Sequence, residues 1–233
     1  MCTLIVAWRV FDGTPIVAAA NRDEALGRPS RSPAVLDRDP LVVAPQDEEA
    51  GGTWIGYNEH GLFVGVTNRP AEIDGERSRG LLVRDALSHE SSADALGFVH
   101  DELAERQYAG FNLLLADADE ATVLEWDGVL ETTPLDPGYH VVVNEGTNCD
   151  APKSERILNA VHPDLSEDVS VARWRERTKT VLRDHDIGAC VHGDDYGTRS
   201  SSIVTIADGG VGTYEFADGP PCETAYRSVE GHL

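Results

Sequence analysis

Lysine is nearly absent from this chain. Of its 19 basic residues only Lys153 and Lys179 are lysines, and the other 17 are arginines. Against them stand 41 acidic residues, for a net charge of −22 over 233 residues. Such a balance excludes nucleic acid as a partner, because binding a polyanion requires a basic face. Long apolar runs are missing too. Nothing approaches the roughly 18 consecutive apolar residues of a membrane span. The start of the chain has no basic segment followed by an apolar one, so it does not read as a secretory leader, and a cytoplasmic protein is expected. Internal repeats and strong linkers are also lacking, which predicts a single domain over residues 1–233.

The acids are dispersed rather than gathered in one tail. A dispersed acidic surface almost free of lysine reads as adaptation to high salt, where self-repulsion is screened and carboxylates keep the surface hydrated. A surface for a cationic partner is the alternative. The four cysteines are Cys2, Cys149, Cys190 and Cys222. Their spacing matches no zinc or iron–sulfur pattern, so no metal site is expected. Cys149, Cys190 and Cys222 read as small, partly buried hydrophobes. His192 with Asp194 and Asp195 reads as solvated surface.

Cys2 differs because of its place. A small residue at position two usually means that Met1 is removed, leaving a cysteine that carries both a thiol and a free α-amine. The amine has a reference pKa of roughly 7.7–8.0 and the thiol about 8.5. Each is near enough to neutrality to exchange a proton with the other, and an N-terminal amine is a known base for an adjacent nucleophile.

Hydrophobic patterning predicts the elements. Thr3–Trp8 and Ile16–Ala20 read as a hairpin through the turn residues Phe11–Pro15. Such a hairpin returns the chain, so that Cys2 and Asn21-Arg22-Asp23-Glu24 become neighbours, and Asn21 is placed to cap the turn there. Arg28–Pro40, with three prolines, reads as an irregular loop. Gly52–Tyr57 and Leu62–Thr67 read as strands around the turn Asn58–Gly61. Helical spacing then predicts Ser78–His89 and Ala93–Gln107. Strands follow at Phe111–Ala116, Ala121–Trp126 and His140–Asn144, and helices at Lys153–Val161 and Val171–His185. Ser201–Ala207 and Gly212–Phe216 form a last hairpin. Strands in hairpins with helices in pairs indicate an α+β fold with antiparallel sheets.

Several motifs together resemble one family. They are Met1-Cys2-Thr3, Asn21-Arg22-Asp23-Glu24, Gly51-Gly52-Thr53-Trp54-Ile55-Gly56 and Thr67-Asn68-Arg69-Pro70. Weaker agreement runs through Asn144, Lys153–Arg156 and Tyr196–Ser201. The chain resembles the NRDE family, whose eukaryotic members are the transport and Golgi organization protein 2 family. That family is similar to the N-terminal nucleophile hydrolases, which implies a four-layer αββα sandwich of two antiparallel sheets flanked by helix pairs. The Cys2 start and Asp23 are similar to choloylglycine hydrolases and penicillin V acylases, which cleave non-peptide amides.

The resemblance implies roles. Cys2 is the nucleophile and its own amine the base. Asp23 holds that amine. Asn144 donates to the oxyanion, a donor worth about 2.7–4 kcal/mol of barrier. Arg199 depresses the thiol pKa by its charge. Arg22 assists, or pairs with Asp23 or Glu24. Trp54 lines the pocket or packs in the core. Asn68 donates to substrate or shapes a turn, and Arg69 binds an acidic group or pairs with carboxylates. One departure stands out: the acylases carry an arginine three residues before the aspartate, and here that position is Ala20. No cofactor is implied. Two functions follow. The first is an amidohydrolase acting on a small acyl amide. The second is a non-catalytic carrier of a hydrophobic ligand such as haem or lipid.

Overall fold

The computed structural model describes residues 2–162 and 169–229, so Met1 lies outside the described residues. Two seven-stranded antiparallel sheets stack face to face. The first joins both ends of the chain. It contains β1 (Thr3–Phe11), β2 (Thr14–Ala25), β10 (Gly138–Val143), β11 (Gly146–Thr147), β12 (Tyr196–Ile206), β13 (Gly212–Ala217) and β14 (Arg227–Ser228), in the order β11-β10-β1-β2-β12-β13-β14. The second is a meander in chain order. It contains β3 (Ser30–Arg38), β4 (Leu41–Asp47), β5 (Ile55–Asn58), β6 (Phe63–Asn68), β7 (Phe111–Ala116), β8 (Ala121–Trp126) and β9 (Leu130–Pro134).

The alternation of side chains along each strand builds three apolar layers. Leu4, Val6 and Trp8 of β1 point between the sheets, where they meet Val43, Phe63 and Leu114. Ile5 and Ala7 point the other way, onto α3 (Pro152–Val161) and α4 (Val171–Leu182) through Ile157, Trp174 and Leu182. The outer face of the second sheet is covered by α1 (Arg79–Ala86) and α2 (Ser92–Glu105) through Leu82, Val83, Ala95 and Val99. The result is the αββα sandwich. Ser78, Ser91 and Ser170 each accept a backbone N–H at the start of a helix. Each such cap is worth about 1 kcal/mol.

β4 and β9 are strands that the patterning left unassigned, and β12 begins at Tyr196 rather than Ser201; three further differences shape the site. β2 continues through Asn21–Glu24 to Ala25 instead of ending at Ala20, because β12 pairs with it along its outer edge up to Tyr196↔Ala25. Arg28–Pro40 is not a loop but carries the edge strand β3. The strand tolerates Pro33 because its register breaks between Arg31 and Ala34. Gly52–Trp54 is not strand. Gly51 has φ +73, and a Cβ on Gly52 would lie 2.2 Å from the Gly80 carbonyl carbon, so this segment lies against the start of α1.

Candidate active site

The first sheet's ladder sets the position of Cys2. Thr3 pairs with Asn21 on one side and Val143 on the other. One residue further out, Cys2 therefore lies between Arg22 of β2 and Asn144 just beyond β10. Its side chain shares the inter-sheet face with Leu4. There it lines a small pocket of about 60 Å³ together with Ala20, Arg22, Asp23, Trp54, Thr67 and Asn68. Cys2 is 8% exposed. Its Sγ lies 3.8 Å from the Asp23 carbonyl oxygen. Burial, then the Asp23 charge, raise the thiol above its ordinary value, although the backbone at Asp23 and Asn68 favours ionisation. The resemblance implies that Arg199 lowers it. That guanidinium instead donates to the Arg28 carbonyl at 3.3 Å, and Arg199 is not among the pocket-lining residues.

The four consecutive residues Asn21–Glu24 have four different jobs, because alternation along β2 sends them to opposite faces. Asn21 does not cap a local turn. Its Nδ2 donates to the carbonyls of Leu182 and Ala189, both at 2.8 Å, and ties β2 to the end of α4. Asp23 is 1% exposed. Its Oδ1 accepts from Thr198 Oγ1 at 2.6 Å, and its carbonyl accepts from the Tyr196 hydroxyl at 2.8 Å. Burial raises the Asp23 carboxyl above its usual range, and the Thr198 hydrogen bond opposes this. Glu24 turns to the rim and accepts from the backbone N–H of Ala25.

Arg22 pairs with neither neighbour as its main partner. Its Nη2 meets Asp47 Oδ2 at 2.8 Å, while Glu24 stands 3.9 Å away. The guanidinium lies over the Trp54 ring, 4.2 Å from its centroid. Asp47 also takes Arg28 Nε at 2.6 Å and the backbone N–H groups of Glu49 and Ala50. Burial works against the Asp47 charge, but the Arg28 hydrogen bond and the others hold its carboxyl below the usual range. The Arg22–Trp54 pair forms a partition. Beyond it lies a second pocket of about 110 Å³, lined also by Arg28, Asp47, Ser78 and Arg79.

Asn68 and Asn144 meet across the two sheets. Asn144 Nδ2 donates to the Asn68 carbonyl at 2.6 Å. Asn144 Oδ1 is buried without a hydrogen-bond partner among the described residues. Asn112 reinforces the junction by donating to the Val143 carbonyl at 2.7 Å. Arg69 points away from the pocket, toward Asn112 Oδ1 at 3.2 Å and the carboxylates of Glu125 and Asp127 at 3.7 and 3.6 Å.

Sequence reasoning gave Lys153 no role, yet it stands at this site. Its Nζ is buried, with no hydrogen-bond partner among the described residues. Burial lowers its pKa, and the charges of Asp23 and Cys2 act against that. The available signal was scarcity, since a chain with two lysines places this one beside its candidate nucleophile. Thr198 and Asp47 were also missed, because each reaches the site only through tertiary pairing. Among the described residues, the side chains grouped so that they could hold a metal ion are His185, Cys190, His192 and Cys222, outside this pocket. The cysteines at 190 and 222 are therefore not isolated hydrophobes, and His192 is not simply solvated surface.

A buried, protonated thiol with a carboxylate beside it and amide groups at hand suits nucleophilic attack assisted by a base. Comparison with solved structures finds the same fold. Penicillin V acylase from Agrobacterium tumefaciens superposes with a TM-score of 0.61 at 15% identity, covering 93% of this chain and 83% of that one. An N-acylethanolamine-hydrolyzing acid amidase orthologue from Caenorhabditis elegans gives 0.60 at 14% identity, covering 89% and 93%. The Transport and Golgi organization protein 2 homolog of Bos taurus is 29% identical over 246 residues, covering 86% of this chain and 88% of that protein. The family model described as Transport and Golgi organisation 2 matches residues 1–217. The chain is therefore a member of the Transport and Golgi organisation 2 family, built on the fold of N-terminal nucleophile hydrolases.

Proposed function

We propose that the Cys2 pocket hydrolyses a small non-peptide acyl amide once Met1 has been removed. The observation that carries this reading is the placement of Cys2 Sγ in a pocket beside Asp23 and between Arg22 and Asn144. Because burial raises the thiol, the nucleophile needs a base, and the liberated α-amine of Cys2 is the nearest candidate. Sγ attacks the amide carbonyl carbon while the α-amine takes the thiol proton. The oxyanion is stabilised by the Asn68 backbone N–H and by Asn144 Nδ2, which leaves the Asn68 carbonyl to do so. The C–N bond then breaks, and the α-ammonium returns its proton to the departing amine. Water hydrolyses the resulting thioester to a carboxylic acid and restores the thiol. Asp23 anchors the amine, and Thr198 fixes the Asp23 carboxylate. Arg199 acts through the Arg28 segment rather than on sulfur.

Leu4, Ile55, Val66 and Trp54 offer the acyl group an apolar wall. The acylase and amidase fold likeness supports the reaction class, and the polar residues around Cys2 support the mechanism.

The test is intact mass of protein from its own host, followed by a panel of acyl amides. The expected result is a mass lacking Met1, turnover by the wild type, none by Cys2→Ala and partial activity for Cys2→Ser. A folded Cys2→Ala protein with undiminished turnover sinks the proposal. A retained Met1 removes the base and leaves the carrier reading, in which haem or lipid copurifies.

A further inference from the structure

Behind the pocket, four side chains converge from two separate segments. His185, Cys190 and His192 follow α4, and Cys222 follows β13. Their ligand atoms all lie within 4.8 Å of one another. Cys190 Sγ and Cys222 Sγ are 3.5 Å apart. His192 Nε2 is 3.2 Å from Cys222 Sγ and 3.7 Å from Cys190 Sγ. A tetrahedral zinc with Zn–S of about 2.3 Å and Zn–N of about 2.0–2.1 Å sets its sulfurs about 3.8 Å apart and each sulfur about 3.6 Å from a nitrogen. The three edges among Cys190, His192 and Cys222 match these to within a few tenths of an ångström, and the His185 ligand atom lies within 4.8 Å of all three.

The surroundings also suit a metal. His185 Nδ1 lies 3.0 Å from the Cys190 carbonyl oxygen. As an N–H donor to that oxygen, Nδ1 leaves Nε2 its lone pair, and a backbone carbonyl that takes the other ring N–H in this way fixes the tautomer of a ligating histidine. The backbone is shaped for the cluster. Ala189 N and Cys190 N both donate to the Asp184 carbonyl at 3.1 Å, and Gly188 adopts φ +79. Arg183 Nε donates to the Pro221 carbonyl at 3.0 Å, which brings the Cys222 segment alongside.

We infer that His185, Cys190, His192 and Cys222 form a structural zinc site. Two thiolates and two neutral imidazoles fill a tetrahedral shell and leave no open position, so the metal fastens segments rather than performing catalysis. What it fastens is connected to the Cys2 pocket. Val191, between two ligands, exchanges hydrogen bonds with Thr198, whose Oγ1 donates to Asp23. Ala189 accepts from Asn21. The zinc thus holds the far side of the wall that carries Asp23.

The test is metal analysis of the full chain, purified under reducing conditions without metal-affinity chromatography. About one zinc per chain is expected, falling to under roughly a tenth in Cys222→Ser and in His192→Ala. Both replaced residues are exposed, so the variants keep their fold, which near-ultraviolet circular dichroism checks. Cobalt added to wild-type apoprotein should give intense tetrahedral d–d bands and a thiolate charge-transfer band. Zinc should raise its melting temperature. Two results overturn the assignment. One is reduced apoprotein that takes up neither metal at micromolar concentration. The other is a Cys190–Cys222 disulfide in protein isolated without reductant, its free thiols alkylated at lysis. Neither result bears on whether Cys2 hydrolyses amides.

Discussion

Asp47→Ala is the most informative single stability test, because one carboxylate compensates the cation that walls the pocket. Asp47 accepts from Arg22 at 2.8 Å, Arg28 at 2.6 Å and two backbone N–H groups. The Arg22 side chain is 6% exposed, and its other carboxylate, Glu24, is 3.9 Å away. Removing one partner of a fully buried pair costs about 3–5 kcal/mol, because the other charge is left uncompensated. Glu24 remains nearby, and the Arg28 side of the pair is 30% exposed, so the lower end applies, about 3 kcal/mol. At about 2–4 °C per kcal/mol for a chain of this size, the melting temperature should fall by roughly 6–12 °C. Arg28→Ala is the control. It leaves Asp47 paired with Arg22 and deletes only the more exposed partner, at about 1 kcal/mol. Urea denaturation monitored by tryptophan fluorescence gives both values, with an unchanged m-value confirming that stability alone has moved. Equal losses for the two variants would refute the view that Arg22 depends on Asp47.

Two further outcomes are expected. Burial raises the Asp23 carboxyl on folding, so the folded chain binds its proton more tightly than the unfolded one. The stability tied to that proton is present below the unfolded value of about 3.9 and is lost as pH rises through the folded value. At neutral pH Asp23→Asn should therefore melt higher than wild type, by a margin that shrinks toward about pH 4, while losing amide hydrolysis. A variant less stable at pH 7 contradicts this. The net charge of −22 should make the wild type melt higher as potassium chloride rises from about 0.1 to 1 M, since the screening length falls from about 10 to 3 Å. A flat or falling trend would remove the high-salt reading of the acidic surface.

Local patterning exposed what neighbours in sequence decide. The β1–β2 hairpin and the paired helices follow from apolar spacing, and with them the proximity of Cys2 and Asp23. Features made by distant pairing stayed hidden. β2 runs on through Asp23 only because β12 pairs with it, Thr198 lying 175 residues beyond Asp23. β3 and β9 are edge strands whose residues are largely polar or exposed, so neither presents an apolar signal. Arg22 shows the same limit at the site: its sequence neighbours offered carboxylates, and the fold supplied Asp47 and Trp54 instead. The four ligands of the zinc site escaped spacing rules because Cys222 arrives from 32 residues beyond Cys190.

The two lysines carry a practical consequence. Lys153 Nζ is buried, and Lys179, 9% exposed, is bound to Glu176 and Glu215. No other lysine exists in the sequence. An acylating reagent applied to the folded protein meets almost no competing side-chain amine. An α-amine freed at Cys2 would be its main target, next to a thiol that can pass an acyl group to it. Labelling with a thioester probe would thus report on the nucleophile against a nearly silent background.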